Sequence, residues 1–194
     1  MNERWTYNKQ RKSNSRTIWV HWDISPNDAA SPLLIICRHC MRRQSHRSRW
    51  TSAETNGYEL RNPYYKGCLG EKDMSLIHSQ QVGEQDRCSI FEGFMDFLSY
   101  KTLEKRGDNV ICIQEPCDYI VLNSISSLGK CMERLACYTA IHCYLDNDQA
   151  GTMAAHTIME RYQNKAINES MRYAEYKDVN DYLIGRKSIN IAVE

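Results

Sequence analysis

Two short strings constrain this chain more than anything else in it. One is Ile90-Phe91-Glu92-Gly93-Phe94-Met95-Asp96. The other is Tyr144-Leu145-Asp146-Asn147-Asp148-Gln149-Ala150-Gly151, in which Asp146 follows Glu92 by 54 residues. In each, an apolar strand-like run stops at a carboxylate, and a glycine and a helix-like run follow. Parallel α/β sheets bind ligands outside the carboxyl ends of their strands. Carboxylates gathered there select a hard cation such as Mg²⁺, with Mn²⁺ as a substitute.

The surrounding pattern supports that architecture. Strands are expected over 88–92, 118–123 and 140–145, and helices over 94–105, 127–137 and 149–163. In the second helix Leu128, Cys131, Met132 and Leu135 recur at helical spacing. A short fourth strand is expected at 171–174 and a last helical turn at 179–183. Strands alternating with helices predict a mainly parallel sheet flanked by helices. Residues 56–69 read as a hairpin, with Asn56-Gly57 as a turn signal and Pro63 confining any strand to an edge.

The net charge of +1 hides an asymmetry. Residues 1–50 hold 10 Lys and Arg against 3 Asp and Glu, a charge of +7, and the rest of the chain stands at −6. The basic stretch is rich in Arg, Ser and Trp, lacks periodicity, and carries one apolar island at 33–37. It reads as poorly structured. The domain reading is therefore a basic segment at 1–54, a hairpin and lead-in at 55–87, an α/β domain at 88–185 and a tail at 186–194. The longest apolar run is far too short to span a bilayer. No signal-peptide pattern opens the sequence, and a cytoplasmic location is the default expectation. Nine cysteines, several inside apolar runs, read as buried thiols rather than disulfides. Cys37-x-x-Cys40 with His46 is half of a zinc site with no second pair of ligands at usable spacing, so zinc is not expected.

Each acidic residue has a functional and a purely local reading. Glu92 and Asp96 also suit the start of a helix, where the dipole favours acids. Asp148 also suits the N-cap of the third helix, and Asp178 the N-cap of the last, with Asp181 three residues on. Lys177, Lys66 and Arg61 are either phosphate contacts or solvated charges. Tyr64 and Tyr65 either stack on bases or pack the hairpin.

Taken together, the motifs resemble the Toprim domain of topoisomerases, bacterial DnaG-type primases and related nucleases. Phe91-Glu92-Gly93-Phe94-Met95-Asp96 resembles its Glu-Gly motif. Leu145-Asp146-Asn147-Asp148-Gln149-Ala150-Gly151 resembles its Asp-x-Asp motif. Tyr176-Lys177-Asp178-Val179-Asn180-Asp181 resembles the Lys-Asp string of primase-like members. The likeness extends to primase-like Toprim proteins of Bacteroides-type mobile elements, through Tyr58-Glu59-Leu60-Arg61-Asn62-Pro63-Tyr64. It runs from about Asn56 to Leu183. It implies Glu92 as a general acid/base and Asp146 and Asp148 as Mg²⁺ ligands. Asp96 and Asp178 would complete the acidic cluster, and Lys177, Lys66 and Arg61 would contact nucleic acid. It further implies DNA as a partner, together with replication or mobilisation proteins such as a helicase.

A fold hosts several functions, so the resemblance leaves three open. They are a Mg²⁺-dependent primase-like nucleotidyltransferase, a Toprim nuclease, and a non-catalytic nucleic-acid-binding or partner-docking remnant. Residues 1–54 depart from the family. Either they are the product of a truncated or frameshifted gene, or they are a basic arm that binds phosphates by counterion release.

Overall fold

The computed structural model describes residues 73–79 and 86–188, together with the strand backbones 34–38, 57–61 and 66–69. The chain divides into two compact units, Met1–Lys72 and Asp73–Glu194. In the first, β1 (Leu34–Arg38), β2 (Gly57–Arg61) and β3 (Lys66–Leu69) form an antiparallel sheet in that order. The expected hairpin is β2–β3, and the apolar island is β1, paired so that Ile36 faces Glu59. Gly57 is the first residue of β2, not part of the β2–β3 connection, and Asn56 lies outside the described residues. Pro63 falls between the two hairpin strands. Apart from β1, residues 1–54 lie outside the described residues.

The second unit is built on a five-stranded sheet of order β4-β6-β5-β7-β8. Its strands are β4 (Ser75–Ile77), β5 (Arg87–Phe91), β6 (Asp118–Val121), β7 (Ala140–Tyr144) and β8 (Ala166–Asn168). The last four are mutually parallel, and β4 closes one edge antiparallel to β6. Among the described residues four α-helices accompany them: α1 (Phe94–Arg106), α2 (Leu128–Leu135), α3 (Gln149–Arg161) and α4 (Val179–Ile184). The central strands are sealed on both faces. Cys88, Ile90 and Phe91 of β5, all of β6, and Ile141, Cys143 and Tyr144 of β7 are buried. That is why these strands appear in the sequence as continuous apolar runs. Cys88, Cys112, Cys117, Cys131 and Cys143 are buried thiols.

Two edge elements differ from expectation. The segment 171–174 is no strand: Ser170–Tyr173 forms a 3₁₀ turn, and the outer parallel strand is β8, a few residues earlier. β4 extends the sheet beyond the alternating strand–helix units.

The strand order creates a switch point. From β5 the chain crosses by α1 to β6 on one side. From β7 it crosses by α3 to β8 on the other. The crevice of an α/β sheet opens where neighbouring strands send their connections in opposite directions, and here that is between the carboxyl ends of β5 and β7. Beneath it lies an aromatic layer. Phe91 stacks on Tyr144 at 5.3 Å and meets Tyr100 edge-on at 5.1 Å, and Tyr144 stacks in turn with Tyr173 at 6.4 Å. Phe91 and Tyr144 are the last residues of their strands, so this packing fixes the backbone from which the acidic motifs depart.

Candidate metal centre

Three carboxylates converge at the crevice from three separate elements. Asp96 sits in the first turn of α1, Asp146 follows β7, and Asp178 is the N-cap of α4. Each offers an oxygen, and those oxygens all lie within 4.8 Å of one another.

Glycines let these elements approach. A Cβ on Gly93 would come within 2.9 Å of Asp96 Oδ2. The constraint at Gly151 is harsher: a Cβ there would meet the Asp146 carbonyl oxygen at 2.2 Å. The first turn of α3 thus rests directly on the Asp146 backbone, and only glycine permits that approach. The motif needs Gly151 for packing, independently of any ligand.

Side chains between the acids hold the geometry. Asn180 donates its backbone N–H to Asp96 Oδ1 (3.3 Å), and its side-chain oxygen accepts from Ser99 (3.1 Å), which ties α4 to α1. Asn147 directs its amide nitrogen to the carbonyls of Tyr176 (2.9 Å), Tyr173 (3.2 Å) and Ser170 (3.4 Å). Its backbone N–H donates to the Lys177 carbonyl at 2.6 Å. Neither asparagine was singled out from sequence, where each reads as a spacer between acids. The available signal was that Asn recurs inside both the Asp-x-Asp and the Lys-Asp strings.

Asp148 stands apart from the three. Its Oδ1 accepts from the Gly151 amide at 3.0 Å, capping α3, and its side chain is 41% exposed. Lys177 bridges the pair, with Nζ 3.1 Å from Asp146 Oδ2 and 3.4 Å from Asp148 Oδ2. Glu92 follows β5 at the same edge, half-buried, with Oε2 shielded from solvent and outside the group of three. Arg61 and Lys66 are register partners of β2 and β3 in the other unit, and their side chains lie outside the described residues. Cys40 and His46 also lie outside them.

The electrostatics follow this placement. Asp96 is only 8% exposed, and burial together with the neighbouring Asp178 and Asp146 carboxylates pushes it up to about 8. Burial raises Asp146 in spite of Lys177, and raises Asp178 in spite of the Asp181 amide it accepts from. Asp148 is held below the usual carboxylate range by the Gly151 amide and Lys177. The Asp146 and Asp148 carboxylates raise Lys177, so it stays charged. Clustered carboxylates that resist ionisation are a site short of positive charge. Three hard oxygen donors at this separation fit Mg²⁺ or Mn²⁺. Asp96, Asp146 and Asp178 are the residues that would hold the ion.

Residues 89–183 match the Toprim-like family. That span runs from within β5 to within α4 and includes every acid of the centre. The fold is similar to the crystal structure of the primase fragment of the bacteriophage T7 primase-helicase protein. The TM-score is 0.51 at 15% identity, covering 87% of this chain and 62% of that one. The chain thus spans under two thirds of the length of that fragment. No curated protein matches the sequence. Among the described residues no helix is long and apolar enough to cross a membrane.

Proposed function

We propose that this chain is a primase-like Toprim protein that performs Mg²⁺-dependent phosphodiester chemistry on nucleic acid. The proposed setting is the cytoplasmic replication or mobilisation of a mobile element of the Bacteroides type, alongside a helicase or similar partner. The observation that carries it is the convergence of Asp96, Asp146 and Asp178 at the sheet's switch point, within a Toprim-like span.

A bound divalent ion supplies charge stabilisation to phosphoryl oxygens. The chain's own residues supply the rest. Glu92, at the end of β5, moves a proton to or from the reacting hydroxyl as general acid/base. Lys177 presents a positive charge at the rim of the site for phosphate. The aromatic floor keeps the strand ends rigid while the substrate is positioned. From residue 51 onward the chain is net negative. That part alone therefore has low affinity for DNA at physiological salt, and template-directed synthesis requires a further domain or partner.

The test uses full-length protein. Mg²⁺ should raise its melting temperature, and Asp146→Asn with Asp178→Asn should abolish the rise. Labelled DNA, incubated with and without nucleotides, then separates the chemistries. Extension supports a primase, cleavage supports a nuclease, and neither, with a normal metal response, supports a docking module. An unchanged metal response in the double variant would overturn the metal centre.

A further inference from the structure

Lys177 differs from an ordinary surface lysine in how firmly its backbone is held. Asn147 sits between the two aspartates that Lys177 touches, and it donates from its own N–H to the Lys177 carbonyl at 2.6 Å. The same asparagine's side chain binds the carbonyl of the preceding residue, Tyr176, at 2.9 Å. On the other side, Asp178 caps α4 by accepting from the Asp181 amide at 2.7 Å. The peptide carrying Lys177 is therefore tied to the Asp146–Asp148 turn through Asn147 and anchored on its other side at the start of α4.

The ammonium group then lies 3.1 Å from Asp146 Oδ2 and 3.4 Å from Asp148 Oδ2. A cation bridging two carboxylates is what a second divalent ion would be in a two-metal phosphoryl-transfer site, where the ions sit side by side on a shared ligand. Asp146 is the residue that both positions would share. It belongs to the group with Asp96 and Asp178, and it also faces Lys177. Asp148 has one oxygen on the helix cap and the other turned to the ammonium, so a metal would reach that second oxygen only if the ammonium were gone.

We propose that Lys177 is a resident cation of the centre, occupying the place between Asp146 and Asp148 where a second metal would bind, so that the chain carries one divalent ion. This rests on the metal centre proposed above. Lys177 is half-exposed, so the pair adds little to stability. Its consequence is stoichiometry. An ammonium is a compact point charge with three donors, and can pass to a phosphate oxygen without leaving the site.

The experiment is a Mn²⁺ titration of the full chain, followed by calorimetry and electron paramagnetic resonance. Wild type should bind one equivalent. Lys177→Met should bind two and take up the first roughly tenfold more tightly, since a repelling unit charge beside it is gone. Lys177→Arg, which keeps the charge, should stay at one. Adding Asp148→Asn to Lys177→Met should return the count to one. Two equivalents on wild type, or a single equivalent on folded Lys177→Met, would overturn the assignment while leaving the metal centre intact. If Lys177→Met does not fold, Lys177→Gln carries the same expectation and the same overturning result. No Mn²⁺ on wild type would sink the centre itself, and the assignment of Lys177 with it.

Discussion

The sheet buries an aspartate at each of its two ends, and the two are in opposite states. Asp118 opens β6 at the amino-terminal edge and is 1% exposed. It accepts from the Ser79 amide (3.0 Å) and the Tyr138 hydroxyl (3.0 Å), and its Oδ2 pairs with His78 Nδ1 at 2.9 Å. Burial raises its pKa, but the His78 and Ser79 hydrogen bonds outweigh that, and the carboxyl stays below the usual range. Asp96, at the carboxyl edge, is nearly as deep and faces two more acids. Burial alone therefore does not distinguish structural from functional carboxylates. The partner set does. Asp118 is satisfied by the protein and serves to fasten β4's flank to the sheet. At the other end three carboxylates face one another, and that is where the proposed cation would sit.

The contrast can be broken most forcefully at Glu92. Glu92→Gln preserves size and removes the titratable group. Activity in the assay described above should fall by about 10²–10⁴, with the melting temperature unchanged. A turnover equal to wild type would reduce Glu92 to a residue at a helix start.

The next largest effect is the dependence of stability on pH in metal-free protein. Asp96 holds its proton to about pH 8 when folded, and its ordinary value is 3.8. Between these values the folded state binds the extra proton, so stability falls as pH rises, by on the order of a few kcal/mol. Asp118 has the opposite sign: its contribution is present above 3.8 and is lost as pH falls through its lower folded value. Denaturant titrations from about pH 3 to 9 in EDTA should show stability declining as pH rises from about 4 to about 8, with the opposing Asp118 loss setting in as pH falls below 3.8. Asp96→Asn should remove most of that decline with rising pH, and saturating Mg²⁺ should flatten it. A flat profile without metal would contradict the reading of Asp96.

The smallest effect belongs to the satisfied end. Asp118→Asn should cost about 1–3 kcal/mol, because it disrupts a buried set of donors. Its Mg²⁺-induced rise in melting temperature should match wild type. Loss of that rise would mean the two ends of the sheet are coupled.

Most of the sheet was legible because its central strands are buried on both sides and its helices are long enough to show their spacing. The margins were not. At 171–174, Met171 and Tyr173 alternate with polar neighbours as a strand would. Yet Met171 is 76% exposed, and Tyr173 is buried with its hydroxyl on the Leu145 carbonyl. β8 has three residues and exposes Ile167, so it offers no period to recognise. At the site, the i, i+2 spacing of Asp146 and Asp148 predicts two acids bending to one point. α3 begins at Gln149, so one Asp148 oxygen caps it while the other meets Lys177 beside Asp146. Asp96 and Asp178 lie 82 residues apart in sequence, and their meeting depends on α4 packing against α1, which no local pattern reveals.

The helix that delivers Asp178 has only six residues. A helix of that length has no stability of its own in water. It exists because Asp178 caps it, and because Asn180 binds Asp96 and Ser99 on α1. One proposed ligand of the centre therefore sits on a segment whose local opening should cost less than opening the sheet. An ion that prefers the closed form must do work against that opening, and its affinity is diminished by the fraction of time α4 is undocked. Anything that steadies α4, whether a neighbouring domain, a partner or a nucleic acid strand lying across it, would raise metal occupancy without touching a ligand.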